Sequence, residues 1–404
     1  MNNTIVIIGG GVASVNAMKA IREVDKSSNI HLVSNEPYYP YYRIKLTKVM
    51  FGPLDIDKIM LQKPEWYDQN NIQLHLGRDA IAIDTEKHTV TLDNGEELVY
   101  DQLLLANGAS NNIPQVEGIE KENVFSIRKL TDIEEIKKHI ANKNDVLCIG
   151  GGIQNLEAAW AIRSQGKNVT IAEFQDRLMP RQLDRKASEI LKKAVQDSGI
   201  KILLNTEITK INGTGKVHGA VTKDGAPIEC DMVIYSVGVK PNIHLYENTP
   251  IKINRGVVVD QYMRTSVENI YAAGDVAETS GGMAGLWSIA MEQGKIAGKN
   301  MTGMNTSYTN VIPVTNMNAF HLSVFSIGNI DEAGASHTIT EEAVDGSSYT
   351  RIFIKDHILV GAIVIGNPQN NTLIKKFIDN RMKLPNMDYT HITLEEFITN
   401  LRNV

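Results

Sequence analysis

Three groups of residues in this chain have types and spacings that could do chemistry. Two are glycine triplets, Gly9-Gly10-Gly11 and Gly150-Gly151-Gly152, set 141 residues apart (150 minus 9). A glycine turn at the mouth of a helix lets backbone approach a pyrophosphate. The free N–H groups of the helix N-terminus then supply hydrogen bonds and partial positive charge. Gly9 and Gly150 make the turns, and Gly11 and Gly152 admit the phosphates. An acid follows each triplet, Glu36 and Glu173, suited to accept hydrogen bonds from ribose hydroxyls. Glu173 lies 21 residues past Gly152 and Glu36 lies 25 past Gly11, against an expected ~20, and Asn35 competes with Glu36. The third group is "EPYYPYYRIKLTK" at 36–48, with four tyrosines, the cations Arg43, Lys45 and Lys48, and no cysteine. Cations there favour an anionic or electron-rich neighbour.

The elements that must position these residues repeat. "TIVIIGGGVASVNAMKAI" at 4–21 matches "DVLCIGGGIQNLEAAWAI" at 145–162. Each copy has a short apolar run, three glycines, and then helical spacing: Ala17, Ala20 and Ile21 in one, Ala158, Ala161 and Ile162 in the other. Each continues into a β-type segment, "NIHLVSNE" (29–36) and "NVTIAEF" (168–174), which completes a βαβ dinucleotide-binding unit. Both copies depart from the fingerprint at its third glycine, which is Ser14 in the first and Asn155 in the second. That position serves helix–strand packing. Serine is a small change and Asn155 a larger one.

Further along, 87–108 predicts a hairpin about Asn94-Gly95 followed by a buried strand, and 218–241 repeats that plan about Asp224-Gly225. From about 311 the tail has its own strand signals, "YTRIFIKDHILVGAIVIG", then a helix-like "NNTLIKKFIDNRM". These patterns predict an α/β chain of two Rossmann-like, three-layer domains and a small α+β domain.

Bulk properties narrow the function. The 404 residues carry 41 basic and 47 acidic side chains, a formal charge of −6, which argues against a nucleic-acid partner. Two cysteines, Cys148 and Cys230, cannot form a disulfide framework, and a reducing, cytoplasmic setting is expected. The N-terminus has no basic leader, and the longest apolar run, "ILVGAIVIG" (358–366), is too short to insert in a membrane. No metal-ligand spacing occurs, so no iron–sulfur centre of the chain's own is expected.

In combination these motifs resemble the pyridine nucleotide–disulfide oxidoreductase superfamily over nearly the whole length. "GGGVAS" (Gly9, Gly11, Val12, Ala13, Ser14) is similar to that superfamily's FAD pyrophosphate turn. "YDQLLLANGA" at 100–109 is similar to a segment that closes over FAD and usually reads A-T-G, here Ala106-Asn107-Gly108. "GGGIQNLEAA" (Gly150, Gly152, Ile153, Gln154, Asn155) resembles the NADH turn. Glu157 falls where the superfamily's glutamate lies near the nicotinamide. "TSVENIYAAGDVA" at 265–277 resembles the second FAD motif, with Gly274 admitting backbone and Asp275 accepting bonds from the ribityl chain. The helix read at 285–303 would point its N-terminus at the flavin, with Trp287 either at the flavin edge or a core aromatic. "GVKPN" at 238–242, beginning at Gly238, matches the return from the NADH domain. The implied domains are 1–112 with 243–310 for FAD, 113–242 for NADH, and 311–404 as an α+β interface domain.

Within the superfamily the resemblance is to the NADH:rubredoxin oxidoreductase, nitrite-reductase-like and ferredoxin reductase branch. Related disulfide, peroxide and coenzyme A disulfide reductases carry redox cysteines that this chain lacks. The resemblance implies that Arg43 contacts FAD, that Lys48 approaches flavin N5, and that the tyrosines wall the cofactor. Lys45 and Lys48 also remain readable as solvated surface cations. Electrons would pass from NADH through FAD to an external one-electron iron protein, rubredoxin or ferredoxin-like. NADPH is disfavoured because Glu173 would repel a 2′-phosphate and no arginine follows directly, Arg177 being four residues on. The tail is expected to serve as a homodimer contact or a docking surface. An NADH oxidase, a subunit of a larger redox complex with an impaired nucleotide site at Asn155, and a flavin monooxygenase are the rival readings.

Overall fold

The structure is a computed structural model, which describes residues 3–52, 55–283, 285–385 and 387–403. Its contacts divide the chain into two compact units. The first comprises Met1–Lys45, Pro53–Asn111 and Gly238–Val311, and the second comprises Leu46–Gly52, Asn112–Val237 and Ile312–Val404.

The first unit is built on a five-stranded parallel sheet in the order Ile270–Ala272, Gln102–Leu105, Thr4–Ile8, Asn29–Ser34, Ile72–Leu76. The central run "TIVII" is apolar at nearly every position because both faces of a parallel sheet are covered. Helix Val12–Val24 buries Val12, Ala13, Val15, Ala17, Met18, Ala20 and Ile21. It packs on helix Trp287–Met301 through two glycines of the latter: a Cβ on Gly294 or Gly298 would come within 3.0 Å of the Ala13 or Ala17 backbone. Small residues on both sides thus set the distance between the helices. The hairpin expected about Asn94-Gly95 is present, with Thr89–Leu92 and Glu97–Val99 antiparallel and Gly95 at φ +84°.

The second unit repeats that sheet: Val124–Ser126, Met232–Tyr235, Asp145–Ile149, Asn168–Ala172, Lys201–Leu203, all parallel. From Ile72–Leu76 and from Lys201–Leu203, the first four strands of the two sheets follow the same order; the fifth differs, Ile270–Ala272 being last in sequence in its sheet and Val124–Ser126 first in its own. Each glycine triplet leaves the carboxyl end of the central strand, where the strand order reverses and ligands bind in open α/β sheets. The unit also holds an antiparallel sheet, Val314–Ala319, Leu322–Gly328, Ile358–Ile365, Tyr349–Lys355, His337–Glu342. Helices Asn371–Asp379 and Leu394–Arg402 bury Ile374, Phe377, Phe397 and Leu401 in the same core as Phe325, Ile352 and Ala362 of that sheet. The tail therefore forms the α+β assembly expected of it. Among the described residues, no helix is long and apolar enough to cross a membrane.

Candidate functional site

The first cradle lies in the first unit. Gly9 takes φ +116°, and any Cβ there would strike the Ala106 backbone. A glycine is required at this point. Gly11 is the N-cap of helix Val12–Val24 and brings no side-chain cap, and a Cβ on it would meet nothing within 4 Å. The helix therefore opens without a side-chain cap, beside room for a ligand at Gly11. Ser14, at the departed glycine position, donates its hydroxyl to Gly9 O and ties helix to turn.

Glu36 is 3% exposed, and its carboxylate is engaged. It accepts from Tyr41 Oη at 2.7 Å and pairs with the Arg43 guanidinium, whose Nη1 donates to Tyr41 Oη at 3.2 Å. Burial opposes the Arg43 charge, but Tyr41, Glu36 and Asp275 outweigh it and raise its pKa. Asp275, distant in sequence, thus shares one electrostatic neighbourhood with Arg43 and Glu36. A carboxylate has about four acceptor sites, so these bonds leave Glu36 capacity for a ribose hydroxyl. Gly274 donates its N–H to Gln293 Oε1 at 2.8 Å, which fixes the backbone beside Asp275.

The departure at Asn107 is explained by what it holds. Asn107 Nδ2 donates to Asn242 O at 3.0 Å, Asn242 Nδ2 donates back to Asn107 O at 2.8 Å, and Tyr246 Oη donates to Asn107 Oδ1 at 2.6 Å. A threonine could not make this reciprocal amide clamp. It braces Ala106-Asn107-Gly108 just ahead of Ala109–Asn111, which pairs antiparallel with Val239–Pro241. Trp287, at the start of its helix, stacks on Tyr42 with centroids 5.5 Å apart, and Lys45 Nζ sits 4.6 Å over the other ring of that stack, Tyr42.

The second cradle lies in the second unit and follows the first closely. Gly150 takes φ +107°, against Ser236 O, and Gly152 caps helix Ile153–Arg163 without a side chain, a Cβ there again meeting open space. Asn155 is fully buried and donates to Ile149 O at 2.7 Å and Gly150 O at 2.9 Å. It does for the second turn what Ser14 does for the first. Gln154 donates to Ile127 O at 2.8 Å and accepts from Ser236 Oγ at 3.0 Å. The Glu173 carboxylate accepts from Gly151 N and, at 2.7 Å, from Gln175 N. Gly238, with φ +97°, opens the last segment of the first unit, while Ser236 and Val237 before it press on the Gly150 turn.

The second unit also brings Glu157 and Lys48 together. Glu157 accepts from Thr47 Oγ1 at 2.7 Å. Burial raises the Glu157 pKa, while the Thr47 bond and the Lys48 charge pull it down. The two line a cleft of about 450 Å³ with Thr47, Phe51, Trp160, Ser164, Gln165 and Asn318. The sequence reading missed Thr47, Trp160 and Asn318. Spacing could have found Trp160 and Ala161, which follow Glu157 at i+3 and i+4 on one helix face, and Ser164 and Gln165 continue that spacing into the turn after the helix. Nothing local marks Thr47 or Asn318. Both cysteines are buried, and burial pushes each thiol up to about 12. Among the described residues, no group of three His, Cys, Asp or Glu side chains could hold a metal ion.

Two discontinuous glycine cradles on twin parallel sheets define a class of two-dinucleotide oxidoreductases. The chain belongs to the pyridine nucleotide-disulphide oxidoreductase family, whose model matches residues 3–294, and the Rubredoxin NAD+ reductase C-terminal domain matches 313–382. It is 33% identical to the NADH-rubredoxin oxidoreductase of Clostridium acetobutylicum over 98% of this chain and 99% of that one. A crystal structure of NADH:rubredoxin oxidoreductase from that organism superposes with a TM-score of 0.79 at 31% identity, covering 99% of this chain and 100% of that one. The chain is 34% identical to the nitrite reductase [NAD(P)H] of Bacillus subtilis over 90% of its own length but spans only 45% of that protein. A ferredoxin reductase from Rhodopseudomonas palustris shares the fold, with a TM-score of 0.90 at 23% identity over 98% of this chain and 99% of that one.

Membership implies FAD and a nicotinamide dinucleotide, NADH or NADPH. The residues present fit both. Each turn has a glycine where a Cβ would project into open space, ahead of a helix with no side-chain cap. Each also has a buried acid at the end of the next strand, Glu36 and Glu173.

Proposed function

We propose that the chain is an FAD-dependent NADH oxidoreductase that passes electrons to an external one-electron iron protein of the rubredoxin or ferredoxin type. The observation that carries this reading is the pairing of two intact dinucleotide cradles with thiols that are both buried and held at about 12. Thiolate is the reactive form of cysteine, so a dithiol relay has no nucleophile here. Similarity to the NADH-rubredoxin oxidoreductase over almost the full length of both chains supports the acceptor class.

FAD, when bound, accepts two electrons from the nicotinamide together and yields them singly. The chain's own residues bind and orient. Gly9, Gly11, Val12, Ala13 and Ser14 offer the uncapped helix start to the FAD pyrophosphate, and Glu36 accepts from its ribose. Arg43 supplies positive charge, Asp275 accepts from the ribityl hydroxyls beside Gly274, and Ala106-Asn107-Gly108 close the site. Trp287, braced by Tyr42, covers the ring edge. Gly150, Gly152, Ile153, Gln154 and Asn155 receive the NADH pyrophosphate, Gly238 lines its path, and Glu157 and Lys48 serve the reacting end. A cation there favours an electron-rich ring. The domain limits follow these roles: 1–112 with 243–310 for FAD, 113–242 for NADH, 311–404 for partner contact.

NADH is preferred over NADPH. A 2′-phosphate would meet the Glu173 carboxylate. Arg177, the nearest cation in sequence, is occupied: Asp176 pairs with it at 3.0 Å and with Arg185 at 2.8 Å. Anaerobic mixing of the FAD-loaded protein with NADH, then with oxidised rubredoxin, ferredoxin or air in parallel, tests the reading. Rapid flavin bleaching and fast reoxidation by one iron protein, with slow reoxidation by air, are expected. Bleaching by neither NADH nor NADPH would overturn it.

A further inference from the structure

The segment Leu46–Gly52 sits within the second unit, although its neighbours on both sides, through Lys45 and from Pro53, belong to the first. Two long-range bonds hold it there. Lys137 Nζ donates to Gly52 O at 3.0 Å, and Thr47 Oγ1 donates to Glu157 Oε2 at 2.7 Å across 110 residues of sequence. Thr47 is only 5% exposed, so its hydroxyl has been withdrawn from water for this contact. A buried hydroxyl costs stability unless it finds a partner, and Glu157 is that partner. The residue next to Thr47 is Lys48, an exposed cation on the rim of the same cleft. One threonine therefore fixes the carboxyl and the backbone that carries the ammonium.

We propose that Thr47 is a positioning residue for the nicotinamide reaction: its hydroxyl holds the Glu157 carboxyl in the cleft wall and holds Lys48 beside it. This rests on the reading that Glu157 serves that reaction. The charged surroundings are simple. Lys48 is the one charged group that acts on Glu157 among the described residues. The cleft is also lined by Asn318 and Ala319, by Trp160 and Ala161 of the same helix, and by Ser164 and Gln165 of the turn after it. None of these is charged at neutral pH. Burial favours the neutral carboxyl, and the Thr47 donor and the Lys48 charge favour the carboxylate. Removing the hydroxyl removes one of the two groups that keep Glu157 ionised, so its pKa rises.

The test uses FAD-loaded wild type, T47V, T47S and E157Q. Infrared titration of the oxidised holoenzyme follows the protonated-carboxyl stretch that E157Q abolishes. In T47V that band should persist to a pH higher by about one unit, the size expected for one hydrogen bond to a charged group. The acid limb of the rate of flavin reduction by NADH should move the same way, and T47S should restore both. An unchanged Glu157 titration in T47V, or a T47S protein that behaves as T47V, overturns the proposal. Should T47V fail to retain FAD, T47A takes its place and is judged by the same titration. An E157Q protein that NADH reduces as fast as wild type at every pH would sink the role of Glu157, while the titration would still judge the Thr47 contact separately.

Discussion

The crossing of helices Val12–Val24 and Trp287–Met301 supports a prediction whose sign is decisive. Gly294→Ala puts a methyl group within 3.0 Å of the Ala13 carbonyl, a distance real Cβ atoms essentially never show. Reaching ordinary contact requires the two helices to part by roughly 1 Å. On an exposed helix face the same change would stabilise by about 1 kcal/mol, because alanine is the better helix former. Overpacking a close contact costs about 1–3 kcal/mol, and here the clash is with backbone, which cannot rotate away. A backbone clash belongs at the upper end of that range, about 2–3 kcal/mol, so after the propensity gain of about 1 kcal/mol the net loss is about 1–2 kcal/mol. The loss bears on function because Ala13 stands at the mouth of the first cradle and also faces Gly274, whose own Cβ would lie 3.2 Å from the Ala13 side chain. Pushing the helix start aside therefore disturbs both the pyrophosphate turn and the backbone beside Asp275. FAD release should accelerate, with affinity falling about tenfold for every 1.4 kcal/mol borne by the bound form. Thermal unfolding of the apoprotein and FAD fluorescence during dilution would measure the two effects. A G294A protein that gains stability and keeps its FAD affinity would refute the close-approach argument, and G298A, which meets Ala17 in the same way, should repeat the result.

Three other outcomes follow from particular contacts. Arg43→Met leaves the buried Glu36 carboxylate with Tyr41 but without its cation, and should cost about 2–3 kcal/mol, discounted from the fully buried case because Arg43 is 27% exposed; an unchanged unfolding midpoint would contradict it. Burial holds Cys148 and Cys230 at about 12, so thiol alkylation of the native holoenzyme at neutral pH should leave NADH-driven flavin bleaching intact, whereas rapid loss would reveal a reactive thiol. Burial pushes the Asp25 carboxyl up, but bonds from Ser28 and Ser27 outweigh it and bring it down to about 2. A depressed carboxylate contributes stability above its ordinary range and loses it as pH falls through the folded value. The gap in melting temperature between wild type and Asp25→Asn should therefore be full near neutrality and close between about pH 4 and pH 2; a gap independent of pH would disprove the assignment.

The two cradles were legible because their requirements are local. A left-handed glycine, an apolar strand before it and helical spacing after it all sit within eighteen residues, and chemistry at that scale is written in order along the chain. The hairpins about Asn94-Gly95 and Asp224-Gly225 were legible for the same reason, each being a turn signal between alternating strands. Helix Leu394–Arg402 carried a readable start, since Thr393 and Glu396 form a capping box, yet no helix was anticipated there. The contacts that organise the sites were not legible. Asn107 looked like a simple departure from a pattern because its partners, Asn242 and Tyr246, lie 135 and 139 residues away. Asn155 looked like damage to the second turn because its bonds run to backbone carbonyls, which no side-chain pattern records. Polar contacts across long loops depend on tertiary packing and leave no periodicity.

The loop 36–48 shows why residue type alone could not assign its cations. Arg43 is held by buried Glu36 and Tyr41 within the first unit. Lys45, two residues on, lies over the Tyr42 ring, which in turn stacks on Trp287, so its charge is placed by aromatic faces and not by an acid. Lys48 follows after Thr47 has fastened the chain to Glu157 in the second unit, and there its charge acts on that carboxyl. Three cations within six residues therefore have three different counterparts: a carboxylate, a π-face and a half-buried acid. A single thiol would give this loop one reactive point. In its place the loop carries cations that are each anchored locally, Arg43 by an ion pair in the first unit and the backbone of Lys48 by the Thr47 hydroxyl in the second.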